Sequence, residues 1–233
     1  MENTKSPSSC IVLFSGGQDS TTCLYWAKKN FNSVQALNIY YGQRHHRETE
    51  SADIITKMAG IELKRVSTDI FTKIGDSSLL DRTTDINSTH RSSDNLPASF
   101  VPGRNVLLLT IAAMHAFKGG VPNIVTGVCQ TDYSGYPDCR NVTIQSLERT
   151  LSLGMDFQFR IHTPLMYKTK VQTVRMAKEL PGCMKALAYS HTCYEGKYPP
   201  CGKCPACVLR AKGFKQAGVK DPLIERAEHE NLL

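Results

Sequence analysis

A glycine-rich turn between an apolar run and a helix-forming segment constrains the fold of this chain more than any other feature. Residues 10–14 are apolar and long enough for a buried strand, and Ser15, Gly16 and Gly17 follow directly. Residues 21–29 then favour a helix. Two adjacent glycines allow a tight turn and a close approach of the backbone to a ligand. The sequence therefore predicts a strand–loop–helix unit that binds phosphate groups.

Strand and helix patterns continue to alternate beyond this turn. Their order is 34–41 (strand), 48–59 (helix), 61–66 (strand), 105–117 (helix), 124–128 (strand), 141–153 (helix) and 171–180 (helix). Strands separated by helices favour parallel pairing, since each helix carries the chain back to the same end of the sheet. We predict an α/β fold of the Rossmann-like kind, a parallel twisted sheet with helices on both faces.

The chain length of 233 residues fits one domain with a small appendage. A polar start predicts a disordered tail over 1–9, and the abundance of Ser, Thr, Asp and Asn over 76–95 predicts a mobile loop or lid. We expect the main nucleotide-binding domain at 10–182. A cysteine-rich segment should follow at 183–218, and a second tail at 219–233.

The charge distribution and the number of cysteines limit which partners the protein can have and where in the cell it can be located. The net charge of +7 is spread along the chain, which favours a solvated surface with a pocket for an anionic nucleotide and no nucleic-acid partner. No apolar run reaches the roughly 18 residues of a membrane span, so we expect no membrane partner. Nine cysteines, an odd number, with no secretory signal argue for a cytoplasmic location.

The residues around the glycine turn suit a nucleotide phosphate. Hydroxyl donors are available from Ser15, Ser20 and Thr21, next to a helix N-terminus. Asp19 would repel a phosphate directly, so we expect it to hold a bridging Mg²⁺ ion. A Walker loop and a G-x-G-x-x-G motif are both absent. The alternative is a plain strand–turn–helix connection. The predicted nucleotide-binding set is Phe14, Ser15, Gly16, Gly17, Gln18, Asp19, Ser20, Thr21, Thr22, Cys23 and Leu24.

Four cysteines at 193, 201, 204 and 207 form a metal-binding pattern. Cys201, Cys204 and Cys207 give two overlapping C-x-x-C steps, and Cys193 precedes them by a short loop. This spacing can place four sulfurs tetrahedrally around Zn²⁺. With four protein ligands, such a zinc ion is structural and should pin the predicted helix at 206–217 onto the main domain. The alternatives are a redox pair, Cys201 with Cys204, and an iron–sulfur cluster.

The string Ser-Gly-Gly-x-Asp-Ser at 15–20 resembles the pyrophosphate loop of the N-type ATP pyrophosphatases, which include GMP synthetase and asparagine synthetase. The resemblance implies cleavage of ATP between the α and β phosphates and an adenylylated substrate. Longer strings are similar to one branch, the 7-cyano-7-deazaguanine synthase (QueC) family, over about 10–218. They lie at 41–45, 100–105, 126–129, 131–140, 163–166 and 192–194.

That resemblance implies an ATP-dependent carbon–nitrogen ligase of queuosine biosynthesis. Its substrates would be 7-carboxy-7-deazaguanine, ammonia and ATP, and its product would be the nitrile preQ0. The resemblance also implies that the protein forms a homodimer. Most of the rate enhancement would then come from positioning of the substrates, from Mg²⁺ and from basic side chains. The residues proposed for this catalytic role are Asp19, Arg44, Arg104 and Lys170.

The deazaguanine needs a flat slot with polar edges. Tyr133 and Tyr136 offer aromatic faces for it. Asp132 and Asp138 can accept hydrogen bonds from its guanine-like edge, and Arg140 can meet its carboxylate. Without the resemblance, this segment is equally well explained as a Gly/Pro/Asp-rich surface loop.

The chain departs from the family pattern at two positions of this pocket. Gln130 stands where the family has Glu, and Asn141 where it has Asp; the 193–201 linker is also one residue shorter. Despite this difference, Gln130 is included among the residues predicted to bind the substrate. These departures leave open a ligase that stops at the amide or that joins the deazaguanine to another amine, such as a protein N-terminus. A tRNA-thiolating enzyme and a zinc-stabilised nucleotide-binding module are more distant alternatives.

Overall fold

A computed structural model gives the fold, and it describes residues 8–42, 47–74, 89–90, 93–97, 99–131 and 136–232. The strands are β1 (Ser9–Leu13), β2 (Ser33–Tyr40), β3 (Glu62–Ser67), β4 (Thr89–His90), β5 (Ser93–Pro97), β6 (Asn123–Val125) and β7 (Arg160–His162). The helices are α1 (Gln18–Asn30), α2 (Arg47–Ala59), α3 (Ile70–Ile74), α4 (Arg104–Lys118), α5 (Asn141–Gly154), α6 (Lys170–Glu179), α7 (Cys183–Leu187), α8 (Pro205–Ala217) and α9 (Pro222–His229). Among the described helices, none has the length and apolar character needed to cross a bilayer.

Five parallel strands form the main sheet in the order β3-β2-β1-β6-β7. Val12 of β1 pairs with Ala36 of β2 on one side and with Val125 of β6 on the other, and all three are fully buried. Buried apolar runs are typical of parallel sheets covered on both faces. The predicted α/β architecture is confirmed.

Helices cover both faces of this sheet. Successive residues of β1 point to opposite sides, so Val12 joins one apolar cluster with Leu24 of α1 and Val174 of α6. Ile11 joins the other cluster, which contains Leu109 of α4. The two clusters together form the core of the domain.

The strand order places a crevice beside β1. The chain leaves β1 towards β2 and β3, and later returns on the other side of β1 through β6. Loops that follow β1 and β6 therefore diverge at the carboxyl edge of the sheet. Ligands of open α/β sheets bind at such a switch point.

Two segments differ from their predicted character. Residues 219–233, predicted as a tail, contain α9, which buries Leu223 and Ala227. Within 76–95, predicted as a mobile loop, β4 and the start of β5 belong to an antiparallel hairpin. The rest of that loop and residues 1–7 of the predicted N-terminal tail lie outside the described residues.

Candidate active site

The predicted phosphate-binding loop, residues 15–20 and called the phosphate loop below, lies at the carboxyl end of β1. Gly16 has a φ of 88°, and a Cβ there would lie 2.5 Å from Glu48 O and 2.9 Å from Ala52 N. Since real Cβ atoms do not approach backbone atoms so closely, Gly16 makes room for α2. A Cβ at Gly17 would lie 3.3 Å from His191 O. Close packing against α2 therefore requires Gly16, and Gly17 is in tight contact with the His191 segment, reasons that the sequence alone did not indicate.

Hydroxyl groups brace the loop from within. The Ser15 and Ser20 Oγ atoms are 3.1 Å apart, and Gly17 N donates to Ser15 Oγ at 3.2 Å. By contrast, Gln18 Nε2 and Thr21 Oγ1 are buried and have no hydrogen-bond partner in the described part of the chain. Because buried polar groups are nearly always paired, these two atoms mark positions for groups of a ligand or water.

The N-terminus of α1 has no side-chain cap. Gly17 occupies the cap position and has no side chain to accept from the first N–H groups. The caps of α6 and α9, Thr169 and Asp221, do accept such hydrogen bonds. An uncapped helix start presents free N–H groups and the positive end of the helix dipole. This end of α1 therefore suits an anionic phosphate.

An ion pair joins two predicted catalytic residues across the crevice. Lys170 Nζ lies 2.5 Å from Asp19 Oδ2, and the two side chains are 11% and 30% exposed. The second carboxylate oxygen, Asp19 Oδ1, is buried and has no hydrogen-bond partner among the described residues. Asp19 can therefore keep Lys170 on one oxygen and present the other to a cation.

The loop after β6 closes the opposite side of the phosphate loop. A Cβ at Gly127 would lie 3.2 Å from Asp19 C and from Ser20 N. Cys23 Sγ donates to Thr126 O at 3.6 Å one turn further along α1. Gly127 thus allows the chain to pass directly against the first turn of α1, where a larger residue would displace it.

Arg104, the first residue of α4, lies among aromatic hydroxyl groups. Its guanidinium carbon is 5.8 Å from the centre of the Tyr136 ring. The hydroxyl groups of Tyr41, Tyr136 and Tyr194 all lie close enough to influence the pKa of Arg104. Burial lowers the pKa of Arg104, but the neighbouring phenol groups and Asp138 raise it more, so the guanidinium stays charged. The result is a partly buried cation among aromatic side chains, which suits an anionic planar ligand.

Two predicted substrate residues also support this pocket structurally. The Tyr136 hydroxyl is 2.7 Å from Ser99 Oγ, and its ring packs on Phe100 with the ring centres 5.6 Å apart. Asp138 Oδ2 accepts from Asn105 N at 2.9 Å, near the start of α4. Asp138 Oδ1 is buried without a partner within the described ranges. Asp138 thus holds α4 with one oxygen and has one oxygen left for a ligand.

Gln130 and Asn141, the two positions where we expect a departure from the family pattern, are in direct contact. Gln130 Oε1 accepts from Asn141 N at 3.0 Å, so the Gln130 side chain caps the start of α5. Arg140 immediately precedes α5 and is exposed. Three further predicted site residues, Arg44, Asp132 and Tyr133, lie outside the described residues.

The four clustered cysteines converge as predicted. Their Sγ atoms all lie within 4.8 Å of one another, and those of Cys201 and Cys207 are 3.9 Å apart. Sulfurs bound tetrahedrally at about 2.3 Å from zinc lie about 3.8 Å apart, so this spacing fits a metal. It far exceeds the roughly 2.0 Å of a disulfide bond. The geometry therefore matches a four-cysteine metal site.

The acid–base chemistry of these sulfurs also fits a bound metal ion. Contact with the Cys193 sulfur raises the pKa of the Cys204 thiol to about 11, because neighbouring sulfurs disfavour a second negative charge. Cys201 Sγ accepts from the backbone N–H of Cys204 at 3.3 Å and of Lys203 at 3.5 Å. A divalent cation would remove the repulsion and allow all four thiolates to form.

The segment that carries Cys193, the first of the four clustered cysteines, also contacts the phosphate loop. His191 N donates to Gly16 O at 3.0 Å, and His191 Nε2 is 2.8 Å from Cys193 O. Tyr194, the next residue after Cys193, reaches the pocket around Arg104. A short stretch of chain therefore connects the metal site, the phosphate loop and the aromatic pocket.

Sequence reasoning did not assign a role to several residues of this site. Tyr41 and Tyr194 lie within strings that resemble the family, and that position was the signal available for them. His191 and Gly127 act through backbone contacts with the phosphate loop. Such contacts join positions far apart in the chain, so local patterns do not indicate them.

The family described as queuosine biosynthesis protein QueC matches residues 9–218. The chain belongs to the QueC family. Its relatives in this family include the 7-cyano-7-deazaguanine synthase of Chromobacterium violaceum, 50% identical over 230 residues that span 98% of each chain. The protein of the same name from Laribacter hongkongensis is 49% identical over 226 residues, 97% of this chain and 98% of the other. These matches confirm the predicted QueC resemblance.

A comparison with solved structures supports the fold. A 4-thiouridine synthetase, in a complex with RNA and bound ATP, superposes with a TM-score of 0.51. It is 16% identical and covers 97% of this chain and 53% of its own. This QueC member therefore has the fold predicted for it.

Proposed function

We propose that this chain converts 7-carboxy-7-deazaguanine and ammonia to 7-cyano-7-deazaguanine with the consumption of ATP. The observation that carries the proposal is the identity of about half of all residues, over nearly the full length, to proteins named 7-cyano-7-deazaguanine synthase. Relatives of that name favour the nitrile over an amide or an amine conjugate. The predicted ATP-dependent ligase is the enzyme class that follows.

The chemistry requires activation of a poor electrophile twice. A carboxylate oxygen attacks the α-phosphate of ATP, releases pyrophosphate and becomes an acyl-adenylate. Ammonia then attacks the acyl carbon and displaces AMP, which leaves the primary amide. A second ATP adenylylates the amide oxygen with loss of pyrophosphate. Loss of AMP and the amide protons then gives the nitrile. No covalent bond to the protein is needed.

We place the nucleotide phosphates at the uncapped start of α1. The buried, unpaired atoms Gln18 Nε2 and Thr21 Oγ1 lie in the first turn of this helix. Mg²⁺, when bound, would neutralise phosphate charge, and the free Asp19 Oδ1 is its ligand in this proposal. Lys170, already on the other Asp19 oxygen, would meet the negative charge that develops during adenylylation.

We place the deazaguanine in the pocket around Arg104. The Arg104 guanidinium would orient the carboxylate towards the α-phosphate, and the Tyr136 and Tyr194 side chains would border the base. Asp138 Oδ1 would accept from the guanine-like edge. The roles of Arg44, Asp132, Tyr133 and Arg140 remain predictions from the resemblance. The same holds for homodimerisation.

We propose that the four cysteines hold one structural Zn²⁺ ion. All four coordination positions would be filled by Cys193, Cys201, Cys204 and Cys207, which leaves none for a substrate or water. The ion would fix the segment that contacts the phosphate loop and would take no part in the reaction.

Pyrophosphate release tests the proposed reaction class. Purified protein with ATP and ammonium should release pyrophosphate only after addition of 7-carboxy-7-deazaguanine. Release that does not depend on this compound, or none at all, would favour a thiolating enzyme or a nucleotide-binding module instead. Guanine, which lacks the carboxylate, serves as the matched control compound.

A further inference from the structure

A glycine lies inside α8, where a helix former would be expected. Gly213 is buried within this 13-residue helix, four residues before its end. Glycine is the poorest helix former after proline, because it adds backbone freedom to the unfolded chain. A buried glycine in a helix interior therefore needs a local reason.

The reason is a close approach between α8 and the start of α6. A Cβ at Gly213 would lie 2.8 Å from Lys170 Cβ and 3.4 Å from Lys170 C and O. Lys170 is the first residue of α6, and the capping box of Thr169 and Gln172 fixes its backbone. Its ammonium reaches Asp19 in the phosphate loop. Any side chain at Gly213 would thus press on the residue that pairs with Asp19.

We propose that Gly213 is a positioning residue that sets Lys170 for its contact with the phosphate loop. Cys204 occupies the N-cap position of α8 and Cys207 lies in its first turn, so the metal site holds the helix that carries Gly213. The four-cysteine segment therefore acts on the phosphate loop through α8, in addition to its contact through His191. The catalytic consequence rests on the proposed function, because it requires Lys170 to act in adenylylation.

The direct test is Gly213→Ala. An added methyl group would lie 2.8 Å from Lys170 Cβ, so Lys170 or α8 must shift, and a misplacement of about 1 Å at a catalytic group can cost about 100-fold in rate. We expect a loss of that size in kcat, an unchanged KM for 7-carboxy-7-deazaguanine and unchanged zinc content. Gly154→Ala is the control, because a Cβ at that helical glycine would meet nothing within 4 Å. A Gly213→Ala enzyme with wild-type kcat would overturn the proposal.

Variants of Lys170 distinguish a specific clash between Gly213 and Lys170 from a general loss of stability caused by Gly213→Ala. Lys170→Gly removes the Cβ that the methyl group added by Gly213→Ala would strike, whereas Lys170→Ala retains it. We therefore expect Gly213→Ala to lower the melting temperature in the wild-type and Lys170→Ala backgrounds, and much less in the Lys170→Gly background. If Gly213→Ala alone does not fold but the double variant with Lys170→Gly does, the clash is established. An equal loss of stability in all three backgrounds would overturn the proposal.

The thermal measurements need no substrate. If the wild-type protein makes no nitrile, the proposed function fails, while the coupling between Gly213 and Lys170 can still be measured. If the nitrile forms and the coupling is absent, only the positioning role of Gly213 is wrong.

Discussion

The backbone N–H of His191 donates a hydrogen bond to the carbonyl oxygen of Gly16 at 3.0 Å. This bond joins the phosphate loop to a segment that begins the four-cysteine site two residues later, at Cys193. The four-cysteine segment is therefore part of the wall of the proposed nucleotide site. Loss of the metal should weaken nucleotide binding as well as the C-terminal structure.

Metal removal tests this link. Purified protein should contain about one zinc ion per chain, and Cys204→Ser should lower zinc content, melting temperature and ATP affinity together. Elemental analysis, thermal unfolding and calorimetric titration measure the three quantities. The control is Cys183→Ala, a buried cysteine outside the cluster, which should retain the metal. Metal-free protein in which Cys201 and Cys204 cycle between dithiol and disulfide would instead support a redox site.

Asp19→Ala should abolish AMP formation while the protein remains folded. The change removes the partner of Lys170 and the free oxygen proposed as an Mg²⁺ ligand. We expect a loss of about 100-fold or more, since both the cation and Lys170 act on the same phosphates. Asp53→Ala is the control, because it removes a carboxylate from an exposed ion pair with Arg65. Near-normal AMP production by Asp19→Ala would exclude the assigned role.

Tyr194→Ala should raise the KM for 7-carboxy-7-deazaguanine by about tenfold and leave the affinity for ATP nearly unchanged. The change would remove the ring that is proposed to border the base, and such an aromatic contact is worth about 0.5–1.5 kcal/mol. Tyr198→Ala, in the same cysteine-rich segment, removes contacts with Arg226 and Glu230 instead. It should affect stability but not this KM. Equal KM changes in both variants would indicate a general effect of the segment.

Gln130→Glu should stabilise the protein without a change of product. Its carboxylate would accept from the Asn141 N–H at the start of α5, where a negative charge contributes about 0.3–1 kcal/mol. Thermal unfolding measures this gain, and Gln145→Glu adds the same charge on an exposed part of α5 away from the N-terminus. A shift from amide to nitrile in Gln130→Glu would show that position 130 supplies a catalytic base, which an amide cannot be.

The main elements of the fold could be predicted because their patterns are local. The apolar run of β1 and the helical spacing in α2 are each visible within about a dozen residues. The helix α9 was missed although Asp221 caps its start and Leu223 and Ala227 have helical spacing, because its eight residues form only about two turns and give a short pattern. Likewise, β7 has three residues, and its place in the sheet depends on pairing with β6.

The candidate site was predictable only in part, for a similar reason. Asp19 was chosen from a motif and Lys170 as a basic side chain, yet their contact spans 151 positions of sequence. The roles of Gly16 and Gly213 depend on which helix packs against them, and no local pattern contains that information. Close approaches between distant segments are properties of the folded packing.

The mass of the product tests the central claim most directly. Purified protein would be given 7-carboxy-7-deazaguanine, ¹⁵N-ammonium and saturating ATP, and the deazapurines and AMP would be quantified by mass spectrometry. We predict the nitrile with one ¹⁵N atom, formed through a transient amide that is one water heavier, with two AMP for each nitrile. Accumulation of the labelled amide as the end product would contradict this account.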